Sequence, residues 1–127
     1  MTVGISSYLA NKLLDHATGR ASFTMPAGVH AQFHTGDPGA AGTSNASSQT
    51  NRAAVTFAAA AAGAIAMNNT PELTLTGTET ISHVSFWDAA SSGNFLWSSV
   101  ATASKGGGSG DIIRIATKQL TLGTLAA

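Results

Sequence analysis

Apolar residues recur along this chain with two different periods. Ile5, Tyr8, Leu9 and Leu13 stand at i, i+3, i+4 and i+8, which puts them along one side of a helix. Ser6 or Ser7 can cap its start and Gly19 can end it, so the spacing predicts one amphipathic helix over about residues 5–18. Downstream the period falls to two. Val29, Ala31 and Phe33 alternate with His30, Gln32 and His34, between Pro26 and Gly28 on one side and "TGDPG" on the other. That is a strand running into a turn.

The next stretch, "AAGTSNASSQTN", offers nothing to bury and reads as an exposed loop over about residues 39–51, ahead of a strand near "RAAVTF". "AAAAAGAIAMNN" is ambiguous: alanine favours helix, but a run ended this early by Gly63 is too short to support itself, and loop plus strand is expected. From Pro71 onward "ELTLTG", "ISHVSFWD", "NFLWSSVATA", "DIIRIAT" and "QLTLG" follow one another. Turn-rich pieces separate them, among them "SKGGGSG", an expected exposed loop over about residues 104–111.

The pattern therefore predicts a mainly β fold, a β-sandwich or small barrel of about 7–9 short antiparallel strands with one N-terminal helix. The β portion covers about residues 28–123 of a single domain over 1–127. Val84/Phe86, Phe95/Trp97, Ile113/Ile115 and Leu120/Leu122 each share a strand face and are expected to line the core. Trp87 falls on the face opposite Phe86 and is expected to look outward or into a partner.

Composition narrows the functional classes. Only 9% of residues are charged and the net charge is zero, whereas a free monomer usually keeps a more charged surface and a net charge away from zero. Such a chain is expected to be covered by copies of itself or by a larger body. Lys12, Arg20, Arg52, Lys105, Arg114 and Lys118 never cluster in sequence, which argues against a nucleic-acid partner. The absence of cysteine removes disulfides, thiolate metal sites and cysteine nucleophiles. No apolar run is long enough to cross a membrane, and the first residues have no basic start or unbroken apolar stretch, so a soluble product outside the classical secretory route is expected.

Candidate chemistry is sparse. His30, His34 and Asp37 resemble a ligand set by spacing alone. On a strand, however, i and i+4 lie roughly 13 Å apart, too far for two imidazoles that must each approach zinc to about 2.0–2.1 Å. Asp37, Asp88 and Asp111 each border a turn and are expected to accept backbone N–H groups. His83 is read as a packing residue rather than an acid–base partner of Asp88, and no serine has a nucleophile-elbow setting. "KGGGSGD" is followed by a strand and not by a helix, so it reads as a connector rather than a phosphate loop. No catalytic, cofactor-binding or metal-binding residue is assigned, and no enzyme activity is expected.

Taken in order, the opening helix, "VHAQFHTGDPG", "NRAAVTF", "ISHVSFWDAASSGNFLWSS" and "GDIIRIATKQLTLG" resemble a family of small tailed-phage proteins, chiefly of phages of actinobacteria, usually labelled tail-fibre or minor tail proteins. Its members share a strand ending in Leu- or Phe-His-Thr-x-Asp-Pro-Gly, a later Asp-Ala-Ala-Ser-x-Gly-Asn-x-Leu turn and a closing Gly-Asp-x-Ile-x-Ile segment followed by Leu-Thr-Leu. The chain departs from an elongated fibre in having no triple-helical, coiled-coil or β-helix repeat. The resemblance implies a non-enzymatic virion structural protein present in many copies, either a capsid decoration or a tail-fibre or minor tail component. Its implied partners are copies of itself and the major capsid or tail proteins, and its place is the virion, with the host cytoplasm during assembly. The alternative is a module binding host-surface carbohydrate, for which Trp87, Trp97 and Tyr8 would be the aromatic platforms.

Overall fold

The computed structural model describes residues 3–25, 28–123 and 126; Pro26, one boundary of the expected first strand, lies outside them. The elements are α1 (Ser7–Ala17), β1 (Val29–His34), β2 (Ala53–Val55), β3 (Ala64–Ala66), β4 (Glu72–Thr74), β5 (Glu79–Trp87), β6 (Phe95–Gly107), β7 (Ile112–Arg114) and β8 (Gln119–Thr121). Eight antiparallel strands form a four-stranded sheet ordered β2-β1-β5-β6 and two ribbons, β3-β8 and β4-β7. They do not close into a barrel. The alanine-rich stretch is a loop, a turn at Ala62 and Gly63, and then β3.

The helix begins where its cap dictates. Ser6 accepts the Leu9 N–H at 3.1 Å, and its own hydroxyl donates to the Phe95 carbonyl at 2.7 Å, so one side chain both caps α1 and ties it to β6. Residues 4–6 continue the tie by running antiparallel to the start of β6, with Ser6 N–H on Leu96 O and Ser98 N–H on Gly4 O. Gly19, at φ 77°, follows the C-cap Thr18 and ends the helix. Of the expected apolar stripe only Leu9 is buried. Ile5 remains 54% and Leu13 42% exposed, so α1 docks through one turn and leaves the rest of its apolar side on the surface.

Alternation along the sheet sends two sets of side chains to opposite faces. Ala31 pairs with Phe86, and Phe86 with Trp97, on the core face. The Phe86 and Trp97 rings stack there at 4.6 Å and 17°, packed with Leu9, Val55 and Leu96. Phe33, Leu75, Ile81 and Ile113 form a second cluster. The β3-β8 ribbon covers the first cluster through Leu120, and the β4-β7 ribbon covers the second through Leu73 and Ile113.

Five sequence expectations require correction. Phe95 does not share the core face with Trp97: it is the register partner of Trp87 and packs against that ring at 5.5 Å on the opposite side of the sheet. Leu122 is 69% exposed, because β8 ends at Thr121 and no strand holds position 122 against the core. Trp87 is buried at 7% exposure: pairing shifts between Phe86↔Trp97 and Trp87↔Phe95, leaving Leu96 as an extra residue, and the opposite face of the sheet is itself covered. The loop expected from residue 104 begins later, since Lys105, Gly106 and Gly107 pair with Ile81, Thr80 and Glu79. The loop expected over 39–51 is anchored rather than freely exposed. Ser47 is buried and donates to Glu79, and Gly42, at φ 73°, lies so close to the Phe95 ring that a Cβ would meet it at 2.5 Å.

Candidate functional site

The residues that might carry chemistry are placed apart or used to hold the fold. His30 and His34 share β1 but have different surroundings, and among the described residues no three His, Asp or Glu side chains are arranged to hold a metal ion. Asp37 accepts the Gly39 N–H at 2.8 Å and Asp111 the Gly108 N–H at 2.8 Å. Asp88 is buried and accepts both the backbone N–H of Asn94 at 2.7 Å and its side-chain amide at 2.9 Å. Each carboxylate closes a turn. His83 bonds the neighbouring Ser82 hydroxyl at 2.8 Å.

The covered polar face of the sheet holds a directional chain of hydrogen bonds. The Trp87 indole N–H donates to Ser85 Oγ at 2.7 Å, and Ser85 Oγ lies 2.7 Å from His34 Nε2. His34 Nδ1 lies 2.8 Å from the Ser44 carbonyl. A carbonyl only accepts, so Nδ1 carries the proton; Nε2 then accepts from the Ser85 hydroxyl, whose oxygen receives the indole proton. Every group in the chain has a partner while His34 is neutral. A second proton on the ring would turn Nε2 into a donor and leave the Ser85 hydroxyl hydrogen without its acceptor.

Burial accordingly pushes the His34 pKa below its ordinary 6.5, partly opposed by the bond to Ser44, with His83 and Arg52 adding cationic pressure. Because the unfolded chain takes up the proton first, stability should fall as pH drops below about 6.5 and level off once the folded-state pKa is passed. Burial raises the Glu79 pKa, but hydrogen bonds from Ser47 and Ser48 outweigh it and bring it below its ordinary 4.5, so its contribution is lost only at lower pH. Thermal melts between pH 8 and 5 should therefore report His34. His34→Gln, less stable throughout, should show a flatter profile, and an unchanged slope in that variant would refute the assignment.

Arg52 closes this face from outside. Its guanidinium sits 4.1 Å over the Trp87 ring and donates to Gln32 Oε1 at 3.1 Å, to Ala89 O at 2.9 Å and to Ser92 O at 2.7 Å. The residue before β2 thus holds the 88–94 turn against the sheet. Trp87 and Trp97 are both buried, so neither presents an open ring to a sugar. Tyr8 is half-buried, edge-on to Phe23, with the Lys12 ammonium 5.7 Å from its ring.

Among the described residues two surface grooves stand out, and the sequence signalled neither. An apolar groove of about 650 Å³ runs between α1 and the β3-β8 ribbon, bordered by Ile5, Leu9, Leu13, Ile65, Leu120 and Leu122. A second groove of about 500 Å³ lies between β6 and the chain around β7, with Phe33, Ile81 and Ile115 among its lining residues. Lys105, Arg114 and Lys118 all border it, so half of the chain's six cations meet at one place although they are scattered in sequence.

In comparisons with known proteins, the model of the family described as "Podophage GP4 fiber I protein gp80" matches residues 4–123. No curated protein matches the chain.

Proposed function

The chain belongs to the Podophage GP4 fiber I protein gp80 family, and from that premise we propose that it is a non-enzymatic structural component of a phage fibre, present in many copies on the particle surface. The family match carries this reading, and the physical character of the chain supports it. A molecule with zero net charge and 9% charged residues has little to keep copies apart. Ile5, Leu13 and Leu122 are exposed on the apolar groove, a surface suited to contacts between copies. Every turn carboxylate and the buried histidine serve the fold, which leaves the work of the protein to its surface.

Immunogold labelling of intact particles tests the placement. Label along the fibre is expected; label over the head shell would make the protein a capsid decoration, and its absence from finished particles would end the proposal. Self-association through the apolar groove gives a second test. Sedimentation of the purified protein should show species larger than the monomer, and Leu13→Lys with Leu122→Lys should shift them toward monomer. A monomer at high concentration for the unaltered protein would remove this interface. The carbohydrate alternative predicts a change of tryptophan fluorescence with host cell-wall glycans, which the burial of both indoles argues against.

A further inference from the structure

Residues 36–45 follow β1 as a loop that belongs to no strand. The loop holds itself together through turn bonds: Gly39 N–H on the Asp37 carboxylate, Gly42 N–H on Gly39 O, Ser44 N–H on Pro38 O and the Asn45 side-chain amide on Asp37 O. Its ties to the rest of the described chain are few. Thr35 bonds Asn45 O at the base of the loop, His34 Nδ1 donates to Ser44 O, and Gly42 rests against the Phe95 ring. No other hydrogen bond joins it to the described residues.

The closed loop leaves His34 at 0% exposure, in surroundings that suit the neutral ring alone. From β5 comes His83, its register partner, and from the segment before β2 comes Arg52; as cations both oppose a charge on the imidazole. The carboxylates of the adjoining segments are engaged elsewhere: Asp37 in the loop with Gly39, Asp88 at the end of β5 with Asn94, and Glu79 with Ser47 and Ser48. A second proton on His34 would create a buried cation without a counter-ion and take from the Ser85 hydroxyl its acceptor. Lifting the loop brings the ring to water without breaking a strand pair.

We propose that residues 36–45 form an acid-released cover: protonation of His34 lifts the loop from the sheet and bares the Phe95 and Trp87 rings, while the strands stay paired. Closed, these rings pack 5.5 Å apart and are 9% and 7% exposed. Open, they form an apolar contact surface that neutral solution does not offer. Release is favoured below the ordinary histidine pKa of 6.5, where the open ring binds a proton that burial denies to the closed one. Such a cover operates wherever on a particle the chain sits.

The chain has no cysteine, so nitroxide labels on Thr43→Cys in the loop and Thr80→Cys on β5, both exposed positions, report a single distance. Pulsed electron spin resonance should give a narrow distance distribution at about pH 7.5 and a shifted, broader one at about pH 5, with an unchanged far-ultraviolet circular dichroism spectrum. His34→Gln in the labelled protein should keep the narrow distribution at both. His83→Gln relieves the protonated closed state of one opposing cation, so its midpoint should move to more acid pH. This variant decides the matter should His34→Gln fail to fold. Unchanged distances in acid would overturn the proposal, as would the same shift in His34→Gln or a midpoint in His83→Gln that is unmoved or higher. Loss of the strand signal in step with the distance would overturn it too, since that is unfolding and not release.

Discussion

Phe86→Ala is expected to destabilise the protein by about 3–5 kcal/mol, the usual cost of removing a buried phenylalanine. The ring is 1% exposed and belongs to the cluster that joins α1, β1, β2 and β6 through Leu9, Ala31, Val55, Leu96 and Trp97. Its loss removes transfer free energy, the stacked contact with Trp97 at 4.6 Å and the support on which Ala31 rests. Collapse into the space is restricted, because Ala31 is too small to fill it and Trp97 is fixed by its place in β6. Against a total stability of about 5–15 kcal/mol for an ordinary domain, the variant should lie close to unfolding at 37 °C. Urea denaturation followed by tryptophan fluorescence measures this directly. A loss below about 1 kcal/mol would mean that the two rings do not form the centre of the core.

Ser85→Ala should cost nearly as much while removing a single oxygen. That oxygen is the only described partner of the Trp87 indole N–H and of His34 Nε2, both in buried residues. Each group left without a partner costs about 1–3 kcal/mol, so roughly 2–6 kcal/mol is expected in total. The origin of the loss can be isolated. Trp87→Phe removes one of the stranded groups, so it should cost less in the Ser85→Ala background than in the unaltered protein. Additive effects would show that the hydroxyl does not link the two rings.

Much of the architecture was legible because its determinants are local. Period-two alternation marked β1 and β5, Ser6 or Ser7 and Gly19 marked the ends of α1, with Ser6 the cap used, and Asp37, Asp88 and Asp111 declared their turns through side chains reaching only two to six residues away. What escaped depends on pairing between distant segments. Strict alternation put Trp87 outside. The register shift that sets it against Phe95 is invisible in β5 alone, and so is Arg52, 35 positions earlier, which covers its other face.

The apolar stripe of α1 was read correctly as a stripe but not as a surface. How much of a helix docks is decided by what lies opposite, and here Leu9 is buried in the core and Tyr8 packs at its margin, while Ile5 and Leu13 stay exposed. The basic groove was missed for a similar reason. Lys105, Arg114 and Lys118 look isolated in a linear reading, and the turn at residues 108–111 that folds β7 back beside β6 brings them together. His34 gave no sign of its role, since both ring partners, Ser44 and Ser85, belong to other segments.

The contact between Gly42 and the Phe95 ring carries a consequence for descent as well as for shape. A methyl group at position 42 would occupy space the ring already fills, on a backbone turn that side chains rarely tolerate. Mutational drift is thus closed there to every other amino acid unless the aromatic shrinks in the same lineage. The neighbouring exposed positions 40, 41 and 43 are under no such restraint, so relatives should differ freely around an unchanging glycine.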